Sequence, residues 1–238
     1  MNVLFVYSFK DSHFSQKPLS DLNALQFGIS YISSFIKKQG HETKLLVLTQ
    51  GMSSDSISNI IDEFSPSLIC FTAVYSEYQF VANAAEIIKK CYPNIFLIAG
   101  GPHVSLNPEE CLLDSFDALC IGEGEEAVLE LIGQLEKKIK PTAIANLWIK
   151  KNDGVEKNLT RSFLQNIDIL PFPDREMWEE WTENINSESQ KILLGRGCPF
   201  LCTYCCNHAL RKLATGNYIR HRAPESVIEE IKYIIRRY

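Results

Sequence analysis

Three cysteines in the run Arg196-Gly197-Cys198-Pro199-Phe200-Leu201-Cys202-Thr203-Tyr204-Cys205 stand at Cys-x-x-x-Cys-x-x-Cys spacing, so three thiolates can reach one metal centre from a single loop. Three protein ligands leave a fourth coordination position open. A cubane iron-sulfur cluster with one uncoordinated iron has that requirement, whereas a structural zinc site closes on four protein ligands. With Cys206 or His208 as fourth donor, the same residues could make a zinc knuckle instead. Two glycine turns offer a different chemistry. Gly100-Gly101-Pro102-His103 and Gly122-Glu123-Gly124-Glu125 each follow an apolar run, and adjacent glycines let a backbone come close to a ligand that a side chain would exclude. Taken alone, such glycines are equally ordinary turn chemistry.

These residues need a frame, and the chain upstream of the cysteines supplies a regular one. Short β-rich runs at residues 3–7, 43–48, 68–72, 95–99 and 118–121 alternate with longer helical patterns, which is the rhythm of a parallel α/β sheet. The runs are apolar throughout, as suits strands covered on both faces. Leu22, Leu25, Ile29, Ile32 and Ile36 recur at helical spacing, with Lys37 and Lys38 in the last turn and Gly40 as a stop. Further helices are expected at 55–64, 77–92 and 125–137, and a short one opens at Asn107 as N-cap with Pro108 in its first turn. The expectation is a five-stranded doubly wound parallel sheet over residues 1–140. Its ligand crevice would lie beyond the carboxyl ends of the strands, where both glycine turns fall.

Residues 141–189 read as a connection. Leu147-Trp148-Ile149 and Val155-Glu156-Lys157 flank Asn152-Asp153-Gly154 as a hairpin, and Leu170-Pro171-Phe172-Pro173-Asp174 reads as extended because each proline biases its predecessor away from helix. Trp178 and Trp181 are expected to pack between domains. Residues 191–195 would be the first strand of a second unit, running into the cysteine loop, and residues 224–238 a single amphipathic helix with Val227, Ile231, Ile234 and Ile235 apolar.

Composition narrows the class further. The 238 residues are 45% hydrophobic with a formal net charge of −5, enough apolar material for a good core and no basic footprint for nucleic acid. No apolar run reaches the ~18 residues of a membrane span, and the N-terminus reads directly as a strand with no secretory pattern. A cytoplasmic protein with reduced thiols is expected, with Cys70, Cys91, Cys111 and Cys120 serving as small buried hydrophobes.

The cysteine spacing, with its Gly-Cys-Pro entry and an aromatic residue before the last cysteine, resembles the signature of the radical S-adenosylmethionine (SAM) enzymes. The order of the other pieces resembles the cobalamin-dependent members of that family. These pieces are Gly28-Ile29-Ser30-Tyr31 to Gly40-His41-Glu42, then Gly100-Gly101-Pro102-His103, then Asp117 to Gly122-Glu123-Gly124-Glu125, all upstream of the cysteines. The class includes radical methyltransferases and an anaerobic cyclase of bacteriochlorophyll synthesis. The resemblance implies a flavodoxin-like cobalamin-binding domain followed by the beginning of a radical SAM barrel. It implies a four-iron four-sulfur cluster on Cys198, Cys202 and Cys205, a contact from Tyr204 to SAM, and cobalamin held by Thr72, Gly100, Gly101, Gly122, Glu123 and Gly124. A Cβ at Gly101 is then expected to clash with the corrinoid tail. The implied activity is methyl transfer to an unactivated carbon or a related C–C bond or cyclisation reaction, with a small-molecule substrate and an electron donor such as a flavodoxin or ferredoxin.

The chain departs from the family pattern in two places. Asp11-Ser12-His13 begins a cobalt-ligating histidine motif, but position 16 is Gln16 and not glycine, so His13 is expected to be solvated; His103 is expected at the pocket or the surface and off the cobalt. After Cys205 the remaining chain is far shorter than an eight-unit barrel of about 250 residues requires, so residues 190–238 are expected to hold only the barrel's first strand, cluster loop and first helix. Two other readings stay open from the residues: a non-catalytic cobalamin-binding module, and an α/β interaction domain with a zinc knuckle.

Overall fold

In the computed structural model, residues 1–12, 17–19, 25–182 and 190–238 are described. Leu22 of the first helical pattern, His13 and Gln16 of the histidine motif, and Ser189 at the end of the connection lie outside them.

Five strands, β1 (Asn2–Ser8), β2 (Glu42–Leu48), β3 (Leu68–Thr72), β4 (Phe96–Gly100) and β5 (Ala118–Cys120), pair in parallel. Their order is β2-β1-β3-β4-β5, so the winding reverses between β1 and β3. Val3, Leu4, Phe5 and Val6 are all fully buried, as are Leu68, Ile69 and Leu97. Burial on both faces explains why these strands read as unbroken apolar runs with no alternation. Helices α1 (Phe27–Lys37), α2 (Ser54–Phe64) and α3 (Tyr75–Cys91) supply the first covering. The α2 helix opens on a Ser53 hydroxyl that accepts the Ser56 amide at 3.2 Å and closes on Ser65 in the left-handed region at φ 48°.

Beyond β4 comes a helix that sequence periodicity does not announce, α4 (Pro102–Leu106), then α5 (Pro108–Cys111) and, after β5, α6 (Glu125–Glu136). Asn107 precedes α5 as expected, but its amide turns back to the His103 carbonyl at 3.3 Å and does not cap the new helix. Cys70, Cys111 and Cys120 are buried as expected, whereas Cys91, in the last turn of α3, is exposed.

The sheet continues past five strands. The hairpin β6 (Leu147–Lys151) and β7 (Gly154–Lys157) adds antiparallel to β5, pairing Leu119 with Trp148, and completes a seven-stranded sheet. The hairpin expected in the connection is therefore an edge of the first unit's sheet. The two tryptophans also belong to this unit. Trp178, in a 3₁₀ turn over Glu176–Trp178, donates from Nε1 to Ser30 Oγ at 2.9 Å, and Trp181 donates to the Leu45 carbonyl at 3.0 Å. Asp174 fastens the same stretch by accepting from Ser33 Oγ at 2.6 Å and pairing with Lys37 at 2.8 Å.

The expected strand at 191–195 shrinks to β8 (Gly195–Arg196), which pairs antiparallel with β9 (Arg220–His221); α7 (Asn207–Leu210) lies between them and α8 (Pro224–Arg237) follows. Two carbonyls that would have extended β8 are taken by guanidiniums, Lys191 by Arg175 at 2.7 Å and Leu193 by Arg222 at 3.2 Å. Both arginines converge on Glu230 of α8, which is fully buried: Arg175 at 2.9 Å and Arg222 in a shorter contact.

Candidate functional site

A cavity of about 350 Å³ opens at the carboxyl ends of the parallel strands, beside the β1/β3 reversal. Open α/β sheets place their ligand crevice there, because the chain leaves adjacent strand ends in opposite directions and no crossover covers the gap. The cavity brings together all six positions chosen from the sequence for the α/β unit: Thr72, Gly100, Gly101, Gly122, Glu123 and Gly124. Its wall is largely apolar, with Phe5, Ile98 and Val128 from the sheet and α6, while Cys70 and Cys120 contribute thiols that burial keeps protonated; Cys120 is pushed up to about 12. These thiols are wall material and not nucleophiles at neutral pH.

The two glycines of the first turn have different reasons to be glycine. At Gly101, φ is 97° and an added Cβ would lie 2.8 Å from the Ala73 carbonyl oxygen and 2.9 Å from Thr72 Oγ1. The protein itself excludes a side chain there, so the expected clash with a ligand cannot be separated from a clash with the protein's own chain. Gly100 is unstrained. Its Cβ would meet Cys120 Cβ at 3.5 Å, an ordinary contact, so the fold accommodates a Cβ there, beside another residue of the cavity wall.

Glu123 is held from three sides. Oε2 accepts the Leu164 amide at 2.8 Å, and Oε1 accepts from Arg196 at 3.0 Å and Arg220 at 2.7 Å. Burial works to raise its carboxyl, but the amide and the two guanidiniums more than offset this and hold it below the usual range. Glu125, also buried, takes the other arm of Arg196 at 2.5 Å, and the Arg196 guanidinium lies 5.2 Å from the Tyr31 ring centroid. Arg196 stands two residues before Cys198. The rim of the cavity is thus tied directly to the base of the cysteine loop.

In that loop Cys198, Cys202 and Cys205 are free and partly exposed, Cys206 is exposed, and Tyr204 is 91% exposed. Gly197 cannot carry a Cβ, which would run into the Tyr218 carbonyl oxygen, so the loop leaves β8 pressed against the chain that leads into β9. The Cys205 amide donates to the Cys202 carbonyl at 3.1 Å, and Asn207 bonds Cys205 Sγ at 3.2 Å; the Asn207 amides hold this thiol below its ordinary range. Among the described residues no three His, Cys, Asp or Glu side chains converge closely enough to hold a metal ion. The loop brings three thiols to one place in the fold without drawing them to one point. Its donor set, three accessible thiols with no competing disulfide, suits an iron-sulfur cluster.

His103 takes part in neither site. It is buried between the rings of Tyr78 at 4.3 Å and Tyr75 at 5.6 Å, away from the cavity wall. The residues sequence reasoning passed over include Tyr31, Leu193 and Arg196, which line the cavity from α1, from the approach to β8 and from β8 itself. Tyr31 was visible as part of the Gly28-to-Tyr31 stretch, but no spacing rule pairs Arg196 with carboxylates some seventy residues away.

Residues 21–132 match the B12 binding domain family. Over 211 residues the chain is 29% identical to an uncharacterized methyltransferase of Pyrococcus horikoshii, an alignment covering 87% of this chain and 45% of that protein. It is 23% identical over 181 residues to the cobalamin-dependent radical SAM methyltransferase TokK of Streptomyces tokunonensis, covering 72% of this chain and 26% of that one. Among solved structures, the cobalamin-dependent SAM radical enzyme OxsB with aqua-cobalamin bound superposes with a TM-score of 0.73 at 19% identity, over 99% of this chain and 32% of that one. The chain spans less than half the length of these proteins. The chain is thus similar to cobalamin-dependent radical SAM enzymes, with a B12 binding domain match confined to its α/β unit.

Proposed function

We propose that this chain supplies the cobalamin site and the cluster-binding loop of a radical SAM enzyme that transfers a methyl group to an unactivated carbon or makes a related C–C bond. The observation that carries this reading is the Arg196 bridge, which ties the rim of the cavity at the strand ends to the base of the three-cysteine loop. In the proposal Cys198, Cys202 and Cys205 hold a four-iron four-sulfur cluster, Tyr204 faces SAM, and Thr72, Gly100, Gly101, Gly122 and Gly124 line the entry of the corrinoid tail. Such groups, when bound, supply reductive cleavage of SAM and a methyl-carrying cobalt. A cavity of about 350 Å³ is on the scale of a drug-sized ligand and would suit the tail.

The chain's own residues bind and orient. Glu123, kept ionised by Leu164, Arg196 and Arg220, fixes the cysteine loop relative to the cavity, so that two cofactors would meet at a set separation. The apolar wall from Phe5, Ile98 and Val128 excludes water from the tail. The substrate is a small molecule, and reduction calls for an external donor such as a flavodoxin or ferredoxin. The test is a titration of the purified chain with cobalamin, followed by absorbance, together with anaerobic reconstitution with iron and sulfide. Saturable corrinoid binding and sulfur-to-iron charge-transfer bands are expected together. Stoichiometric zinc and no charge transfer would overturn the cluster assignment. Corrinoid binding with neither would leave a cobalamin-binding module.

A further inference from the structure

Tyr218, on the chain leading into β9, is linked to both ends of the cysteine loop. Its ring lies edge-on to Phe163 at 5.3 Å between centroids and 5.7 Å from the Arg211 guanidinium, and Arg211 in turn donates to the Cys198 carbonyl at 3.4 Å. The hydroxyl reaches the other end. It donates to Asn207 Oδ1 at 2.6 Å, and Asn207 Nδ2 donates to Cys205 Sγ at 3.2 Å. Asn207 is the first residue of α7 and its backbone carbonyl accepts the Arg211 amide at 3.0 Å, so the side chain is carried on a held backbone.

The two groups that Asn207 joins dictate which way its carboxamide points. A thiolate or a cluster-bound cysteine sulfur is an acceptor, so the amide nitrogen has to face Cys205; the amide oxygen then faces a phenol, which donates to it. Tyr218 therefore locks the carboxamide with its N–H on the sulfur. Reducing an iron-sulfur cluster adds negative charge, part of it on the ligand sulfurs, and a hydrogen bond to such a sulfur stabilises that charge. Bonds of this kind are among the levers by which a protein sets a cluster's potential, and the partners that aim them matter as the ligands do.

We propose that Asn207, aimed by Tyr218, is a positioning residue for the cluster: its N–H on Cys205 Sγ favours the reduced state and raises the reduction potential. This rests on the cluster assignment above. The test is a redox titration of the full chain after anaerobic reconstitution, with titanium(III) citrate supplying one electron per cluster and visible absorbance reporting the reduction. Wild type, Asn207→Leu and Tyr218→Phe are compared, and iron content and melting temperature are measured on the same samples. Asn207→Leu removes the donor at similar volume, and Tyr218→Phe keeps the ring against Phe163 and Arg211 while releasing the carboxamide. Asn207→Leu should disfavour reduction about tenfold, a midpoint about 59 mV lower for a one-electron couple, and Tyr218→Phe should shift it the same way by less. Unchanged midpoints in both variants at wild-type iron content overturn the proposal and leave the cluster assignment standing. A fall in iron content or melting temperature with no shift in midpoint also overturns it, by showing that the contact only serves the fold. If Asn207→Leu assembles no cluster, Tyr218→Phe decides: a lowered midpoint supports the proposal and an unchanged one overturns it. If wild type assembles no iron-sulfur cluster, the cluster assignment fails and this contact with it.

Discussion

The cavity and the cysteine loop are built in opposite ways. The cavity is walled by strand ends whose residues are buried on both sides, and its shape follows from backbone pairing, with Thr72 opposite Gly100 in the β3–β4 ladder. The loop hangs between two strands of two residues each, and its thiols are partly exposed and held by a few bonds around Cys205 and Asn207. Packing fixes the shape of the first. The second has its donors gathered by chain connectivity, and a metal cluster would complete their arrangement, as is usual where binding and local folding are coupled. A protein that must join two cofactors can prebuild the pocket for one and hold the other on a short tether, provided something stiff links them. On the proposed reading, Arg196 is that link.

Substitutions can break or sharpen this contrast, beginning with the most drastic. Replacing any one of Cys198, Cys202 and Cys205 by Ala should abolish cluster assembly, read as loss of visible charge-transfer absorbance after anaerobic reconstitution, while Cys206→Ala should retain it. In the same variants corrinoid binding should persist, since no thiol of the loop lines the cavity.

Glu230→Ala leaves Arg175 and Arg222 buried without their shared carboxylate, and breaking such an arrangement costs about 3–5 kcal/mol. Thermal unfolding should show a drop of several degrees or more; an unaltered midpoint would mean that α8 is not fastened by this triad.

A matched pair of glycine variants separates fold from ligand. Gly101→Val should destabilise the chain whether or not cobalamin is present, because the Cβ meets Ala73 and Thr72 and the backbone is left-handed, a strain on the order of 1–3 kcal/mol. Gly100→Ala should leave ligand-free stability nearly intact and weaken cobalamin binding. Equal affinity in a folded Gly100→Ala protein would move the tail away from this turn.

Glu123 gives the smallest and most specific signal. Its folded-state carboxyl lies below the ordinary value, so the stability it contributes is present at neutral pH and drains away as the pH falls through and below the usual carboxylate range. Unfolding measured from neutral to acid pH should show a shallower acid loss in Glu123→Gln than in wild type, with the two curves converging at the acid end.

How much of this was legible from residues alone depended on whether the determinant was local. Double-sided burial writes itself into sequence as runs such as Val3 to Val6, so the five parallel strands were readable, and the strand-end rule then placed the glycine turns in one crevice. The α4 helix was hidden because five residues carry no periodicity and Gly100-Gly101-Pro102 has the composition of a turn. The hairpin was readable as a hairpin, but not its docking on β5, because an edge partner is chosen by tertiary packing. The strand expected at 191–195 failed because Arg175 and Arg222 take carbonyls that the ladder would have used. Tyr31 was visible within the Gly28-to-Tyr31 stretch, but its place on the cavity wall emerges only from the fold.

The burial of Glu230 has a consequence for how α8 can move. A helix that slides along its neighbour by one turn, about 5.4 Å, would keep much of its apolar contact, and apolar faces alone tolerate such slippage. Here the slip would carry the carboxylate away from both guanidiniums and strand three charges out of water. One alignment is therefore far below its neighbours in free energy, and the ion triad acts as a detent: it adds little to the depth of packing, but it decides where along the chain the packing stops.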